Sequence, residues 1–139
     1  MNNVNFTVAE AGPFKDLIST SQDPVPGKLY LKSKLGLTGM EVSLNQLPTG
    51  GSVPFYHSHR ENEELYLFVS GRGEFQVDGR ILEIKEGTCI RVAPEGVRTH
   101  RNTGSEAMVF VCIQVKAESI QHWVESDAVV PDEPVMWEA

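Results

Sequence analysis

The chain has 139 residues, enough for one small domain with a real core, and its net charge of -7 speaks against nucleic acid or an anionic membrane surface as a partner. It holds no run of eighteen apolar residues that would cross a bilayer and no basic, apolar leader for export, so the expected location is cytoplasmic. Cys89 and Cys112 are too few and too isolated for a disulfide framework and are expected to be buried, reduced thiols.

Twelve glycines and eight prolines punctuate short apolar runs, the pattern of an all-β chain. A short strand is predicted at Asn5 to Val8 and a helical turn at Pro13 to Ile18. Lys28 to Lys34 alternates in character, and Met40, Val42 and Leu44 mark a strand of period two. The turn Pro48-Thr49-Gly50-Gly51 leads into an extended segment, and Leu65 to Val69 reads as a strand buried on both faces. Gly71-Arg72-Gly73 is a turn signal. Asp78-Gly79 fits a two-residue hairpin between Glu74–Val77 and Arg80–Lys85. Glu86-Gly87 turns before Thr88 to Val92, and Asn102-Thr103-Gly104 precedes an apolar strand from Met108 to Val115. Beyond it, Glu118 to Glu125, with His122 and Trp123, suggests a short helix before the break at Pro131-Asp132-Glu133-Pro134. Short strands at this spacing, with no long helix and no internal repeat, predict one sandwich or barrel domain over 1–139. Its core runs from about 28 to 116, with a C-terminal extension over 117–139.

Candidate chemistry concentrates between residues 51 and 71. His57 and His59 can aim at one point only on extended backbone, where alternate residues share a face. Two imidazoles and the carboxylate of Glu64 form a donor set suited to a divalent metal with positions left open. Glu64 begins an apolar strand, and a carboxylate entering a core must be paired or metal-bound. The competing reading pairs it with Arg60 or Arg72. Glu61 and Glu63 read as solvated surface.

The spacing Gly51-x5-His57-x-His59-x4-Glu64-x6-Gly71 resembles the first motif of the cupin superfamily. That resemblance implies an all-β fold, a conical antiparallel jelly-roll β-barrel carrying one metal site and made of a single barrel. The second motif of that family, Gly-x5-Pro-x-Gly-x2-His-x3-Asn, is altered here. Six residues separate Gly87 from Pro94. Counting on from Gly96 puts Thr99 in the ligand position, and counting back from Asn102 puts Arg98 there, with His100 one or two places late. Three outcomes stay open: His100 serves as fourth ligand, Arg98 replaces the ligand and leaves a 2-His-1-carboxylate site, or the metal is lost.

The expected metal set is His57, His59, Glu64 and His100, holding one divalent ion such as iron, zinc, nickel or manganese. Arg98 is expected in the pocket as a partner for a substrate anion, with Tyr66 and Phe55 as aromatic lining. Two functional readings follow. One is a metal-dependent enzyme on a small organic acid, phenol or sugar-like molecule, with oxidative chemistry slightly favoured; the other is a non-enzymatic module for a small ligand or metal. The outward Leu65-Leu67-Val69 face predicts a homodimer, as the resemblance does.

Overall fold

The computed structural model describes residues 5–121 and 124–138. Eight strands form: β1 Lys28–Tyr30, β2 Glu41–Leu47, β3 Asn62–Ser70, β4 Gly73–Val77, β5 Arg80–Ile84, β6 Cys89–Val92, β7 Arg98–Asn102 and β8 Met108–Lys116. They make two antiparallel sheets, one ordered β1-β2-β8-β3-β6 and the other β5-β4-β7, which close on a common interior as a jelly-roll barrel. Alternation explains the closure. Tyr66 and Phe68 of β3, Phe75 of β4, Ile84 of β5, Val92 of β6 and Phe110 of β8 each turn one face inward, and together with Met108 and Cys112 they are the core. Tyr66 meets Phe75 nearly edge-on with ring centroids 4.8 Å apart, and Phe68 lies 5.3 Å from Phe110.

The turns follow their residues. Asp78 and Gly79 both take positive φ, 50° and 81°, the backbone of a two-residue hairpin matched to strand twist. Gly71 takes φ 92°, and a Cβ there would sit 2.8 Å from Met108 Cα, so the close approach of β3's end to β8 needs glycine. A 3-10 turn at Phe14–Asp16 and α1 (Leu17–Thr20) dock outside β2. There Leu17 is fully buried, and the Ile18 amide donates to Gln46 Oε1 at 2.8 Å.

Four expectations are corrected. Cys112 is buried but Cys89 is exposed, because at the start of β6 it lies opposite Leu67 on the outer face of the sheet. Asn5 to Val8 forms no strand: Phe6 and Val8 are exposed and no neighbouring strand pairs with them. Leu65 to Val69 is buried on one face only, because Tyr66 and Phe68 fill the interior while Leu65 and Val69 lie on the outer face, 37% and 45% exposed. Helix is absent over Glu118 to Gln121 and appears at α3 (Val124–Asp127), while His122 and Trp123 lie outside the described residues. A further helical turn, α2 (Lys32–Leu35), follows β1 and ends at Gly36. No helix of the described residues is long and apolar enough to cross a membrane.

Gly71→Ala and Gly79→Ala separate conformation from crowding. Positive φ alone costs about 1–2 kcal/mol for an alanine, which is all that Gly79→Ala meets, since nothing lies within 4 Å of its added Cβ. Gly71→Ala adds a backbone collision, so its urea midpoint should fall by at least twice as much.

Candidate metal centre

The histidines sit on a segment between β2 and β3 that is tied to β7 at isolated points. The Val53 amide donates to the His100 carbonyl at 3.0 Å, and the Asn102 amide donates to the Gly51 carbonyl at 2.8 Å. His57 and Arg98 exchange two backbone hydrogen bonds of 3.2 and 3.0 Å, and the His59 amide reaches the Pro94 carbonyl at 2.7 Å. These ties hold the segment extended, so both imidazoles look inward toward Glu64 at the start of β3. His57 Nε2 lies 3.6 Å from Glu64 Oε1, and His59 Nε2 lies 3.2 Å from Glu64 Oε2.

These residues fit a metal ion. One ligand atom from each of the three lies within 4.8 Å of the others, and ligand atoms about 2.1 Å from a common ion are roughly 3.0–3.4 Å apart when adjacent. His57 Nδ1 and His59 Nε2 are buried yet make no hydrogen bond. An unsatisfied buried nitrogen is costly, and coordination would satisfy the second of these. The two imidazole side chains remain 35% and 25% exposed, so the histidines lie near the protein surface while Glu64 lies deeper.

Glu64 is held ready as a carboxylate. The Tyr66 hydroxyl donates to Oε1 at 2.7 Å and the Cys112 thiol donates to Oε2 at 3.4 Å, while Arg98 Nε stands 3.5 Å from Oε1. Burial alone would raise its pKa. The nearby His57 imidazole, the Tyr66 hydroxyl's hydrogen bond and the charges of His59 and Arg98 more than offset this and hold it at about 2. Burial pushes the Tyr66 hydroxyl and the Cys112 thiol up, so both stay protonated donors at neutral pH.

The altered second motif resolves in the register counted back from Asn102. Along β7, Arg98, His100 and Asn102 all face inward. Arg98 is fully buried beside Glu64, its Nη2 donating to the Ala93 carbonyl at 3.2 Å. Its charge faces Glu64, and it is shut away from solvent. His100, expected as the fourth ligand, lies on the same inward face of β7. Two residues further along, its ring stacks on Phe75 at 5.7 Å and meets Phe110 edge-on at 4.9 Å, outside the group formed by His57, His59 and Glu64. Burial, then the charges of Lys28 and His57, lowers its pKa to about 4. Tyr66 spends its hydroxyl on Glu64 and its ring in the core rather than lining a pocket. Phe55 stands at the mouth, 60% exposed, with its ring 6.4 Å from that of His57.

Sequence reasoning missed the polar residues that β1 and β2 turn inward: Lys28, Tyr30, Ser43 and Asn45. The signal was there, since Lys28-x-Tyr30 and Ser43-x-Asn45 alternate with Leu29, Val42 and Leu44. Asn102, read there only as a turn and motif position, has a side-chain amide that donates to the Leu47 and Glu106 carbonyls at 3.0 and 2.8 Å and so ties β7 to both neighbouring turns.

Comparison with known proteins agrees with this architecture. A family model described as "Cupin domain" matches residues 43–114, just over half of the chain. A crystal structure of a cupin protein from Bacteroides fragilis is 38% identical and superposes with a TM-score of 0.78, over 92% of this chain and 98% of that one. A predicted oxalate decarboxylase from Thermotoga maritima is 27% identical with a TM-score of 0.52, over 54% of this chain and 64% of that one. An uncharacterized protein of Methanocaldococcus jannaschii is 31% identical over 62 residues, 45% of this chain, and the match spans half the length of that relative.

His100 leaves a signature in the acid stability of metal-free protein. Its folded pKa lies below the unfolded value near 6.5, so below that pH the unfolded chain takes up a proton that the folded state refuses. Its contribution is therefore present above pH 6.5 and is lost as pH falls toward 4, by about 3 kcal/mol in all. Urea unfolding from pH 7 to 5 should show a shallower pH slope in His100→Phe than in wild type; equal slopes reject this account.

Proposed function

The chain belongs to the cupin family, and from that premise we propose that it is a divalent-metal enzyme acting on a small organic molecule, with His57, His59 and Glu64 as the protein's ligands. One observation carries the reading. The three ligand side chains converge while the place of a fourth is filled by Arg98, which has no lone pair to give. Three protein ligands leave open positions, the condition for an exchangeable water or substrate, whereas structural sites are closed. Solvent access on the histidine side agrees with this.

A divalent ion held there would act as a Lewis acid or water activator, and with iron the same donor set suits oxidative chemistry. The chain's own residues do the rest. Tyr66 and Cys112 fix the two Glu64 oxygens, so the carboxylate presents one orientation and stays ionised well into acid. Arg98 lowers the cost of burying that charge. Phe55 provides an apolar edge at the mouth. Small organic acids are one substrate class in keeping with this site, and the likeness to a predicted oxalate decarboxylase supports that direction. The alternative, a non-enzymatic module that binds a ligand or metal, draws its support from His100. That imidazole is kept neutral among aromatic rings rather than placed beside the ligands for proton transfer.

Metal-depleted protein titrated separately with zinc, nickel, manganese and anaerobic iron(II) should take up about one ion per chain. His57→Ala combined with His59→Ala should abolish uptake, His100→Phe should retain it, and Tyr66→Phe should weaken it roughly 10–100-fold through loss of the Glu64 tether. Full occupancy in the double variant would sink the ligand assignment. Turnover of small organic acids by the loaded protein, followed by oxygen consumption and product analysis, separates the enzyme from the binding module.

We further propose that two chains pair through the outer face of the five-stranded sheet. Leu65 and Val69 are partly exposed there, and Val129, Val130, Val135, Met136 and Trp137 of the C-terminal extension are all more than three-quarters exposed. A chain presenting both an apolar face and an apolar end is stabilised when a symmetric partner covers them. Light scattering at micromolar concentration should give about twice the chain's 15.4 kDa, and a monomer mass rejects the pairing.

A further inference from the structure

The registers of the five-stranded sheet place a second polar group inside the barrel. Tyr66 lies opposite Cys112, Cys112 opposite Ser43, and Ser43 opposite Tyr30. On the next rung of that face, Phe68, Phe110, Asn45 and Lys28 stand in line. Directly opposed residues of antiparallel strands project to the same face. Lys28, Tyr30, Ser43 and Asn45 therefore look into the interior that holds Glu64, while Leu29 and Leu44 look out.

The group is built around the lysine. Lys28 Nζ donates to Asn45 Oδ1 at 2.7 Å and lies 5.2 Å from the Tyr30 ring centroid. The Asn45 side-chain amide is itself oriented, donating to Ser43 Oγ at 2.9 Å and to the Ser43 carbonyl at 3.1 Å. That leaves its oxygen to face the lysine. Among the described residues no carboxylate forms an ion pair with Lys28. An ammonium has three donors and only one is used. A half-buried cation with free donors and no bound counter-ion is costly if packing is its only role, and Met or Leu would fill that volume better. Burial lowers the pKa of Lys28, while acidic groups around it, the Glu64 and Asp23 carboxylates among them, pull it back up. The lysine thus feels the carboxylate of the metal centre. Arg98, another interior cation, is fully buried and faces Glu64, whereas Lys28 is only half-buried.

We propose that Lys28, flanked by Tyr30 and oriented by Asn45, is an anion-binding subsite beside the metal centre. The molecule this protein takes is then a small organic acid, with a carboxylate on Lys28 and a second polar end directed at the ion. This rests on the metal reading above and gives its organic-acid substrate class a binding residue. Lys28 is assigned as a ligand anchor and not as a group that reacts.

The test runs in two stages so that the two readings can fail separately. Zinc is first titrated into wild type and Lys28→Met, and equal binding is expected; no binding to wild type overturns the metal reading and this one with it. Malonate, and its uncharged diamide as control, are then titrated into the zinc-loaded proteins by calorimetry. Malonate should bind wild type and weaken at least tenfold in Lys28→Met, with Lys28→Arg recovering part of the loss and the diamide binding neither. Equal malonate affinity in wild type and Lys28→Met, or no malonate binding to zinc-loaded wild type, overturns the subsite while the metal reading stands. A measurement without variants guards against misfolding. Malonate should slow acetylation of Lys28 at least tenfold in wild type, read by peptide mass spectrometry, and leave the exposed Lys85 unaffected. Unchanged Lys28 labelling also overturns the subsite.

Discussion

A carboxylate buried in the wall of a small barrel is the constraint that organises this protein. Glu64 is almost wholly withdrawn from solvent on a strand whose next inward residues are Tyr66 and Phe68. Left alone, such a charge would neutralise itself or unfold the strand. Instead both of its oxygens are engaged. Oxygen Oε1 takes the Tyr66 hydroxyl and faces Arg98 and His57, while Oε2 takes the Cys112 thiol and faces His59. The five partners come from four elements: β3 itself, β7, β8 and the segment before β3, which supplies both histidines. The barrel cannot rearrange any of them without exposing the carboxylate's debt, so the geometry of the centre and the closure of the fold are one problem.

Arg98 changes what that centre is. A fourth imidazole would add a ligand for a metal but leave Glu64 dependent on the ion for its charge balance. A guanidinium next to the carboxylate supplies a permanent counter-charge, so the site keeps its arrangement with or without an ion. The consequence is a trade. Part of Glu64's negative charge is already neutralised, which would weaken its pull on a cation, while His57, His59 and Glu64 are brought together without one.

How much of this could be read from the chain differs by element, for physical reasons. The hairpin at Asp78-Gly79 and the strands on either side of it were legible because positive φ and alternation are local properties. The grouping of His57, His59 and Glu64 was legible because its spacing works only on extended backbone. The role of Arg98 was not, since two counts through the second motif disagreed by one residue and a one-residue slip inverts a strand's faces. The pairing of His57 with Arg98 settles that count, and pairing is a long-range fact. Leu65 to Val69 misled in the opposite way. An apolar run says that both faces tolerate burial, and only the sheet order shows that one of them remains without a layer over it.

The interior polarity of β1 and β2 carries a cost that the fold offsets from outside. Aromatic rings from β3, β4 and β8 pack one half of the barrel, but Lys28, Tyr30, Ser43 and Asn45 bring little apolar area to the other half. A strand that is polar inward must gain its stability from its other face. That is where the N-terminal segment docks: Leu17 is fully buried, Leu44 is covered, and Gln46 accepts from the Ile18 amide while donating to the Lys15 carbonyl. Burying a leucine side chain is worth about 1.5–3 kcal/mol, comparable to the cost of holding a polar group away from water. The turn and helix before β1 can therefore be understood as the outer brace that allows β2 to keep a polar interior. Stability has been placed on the solvent side of the sheet so that chemistry can occupy the inside.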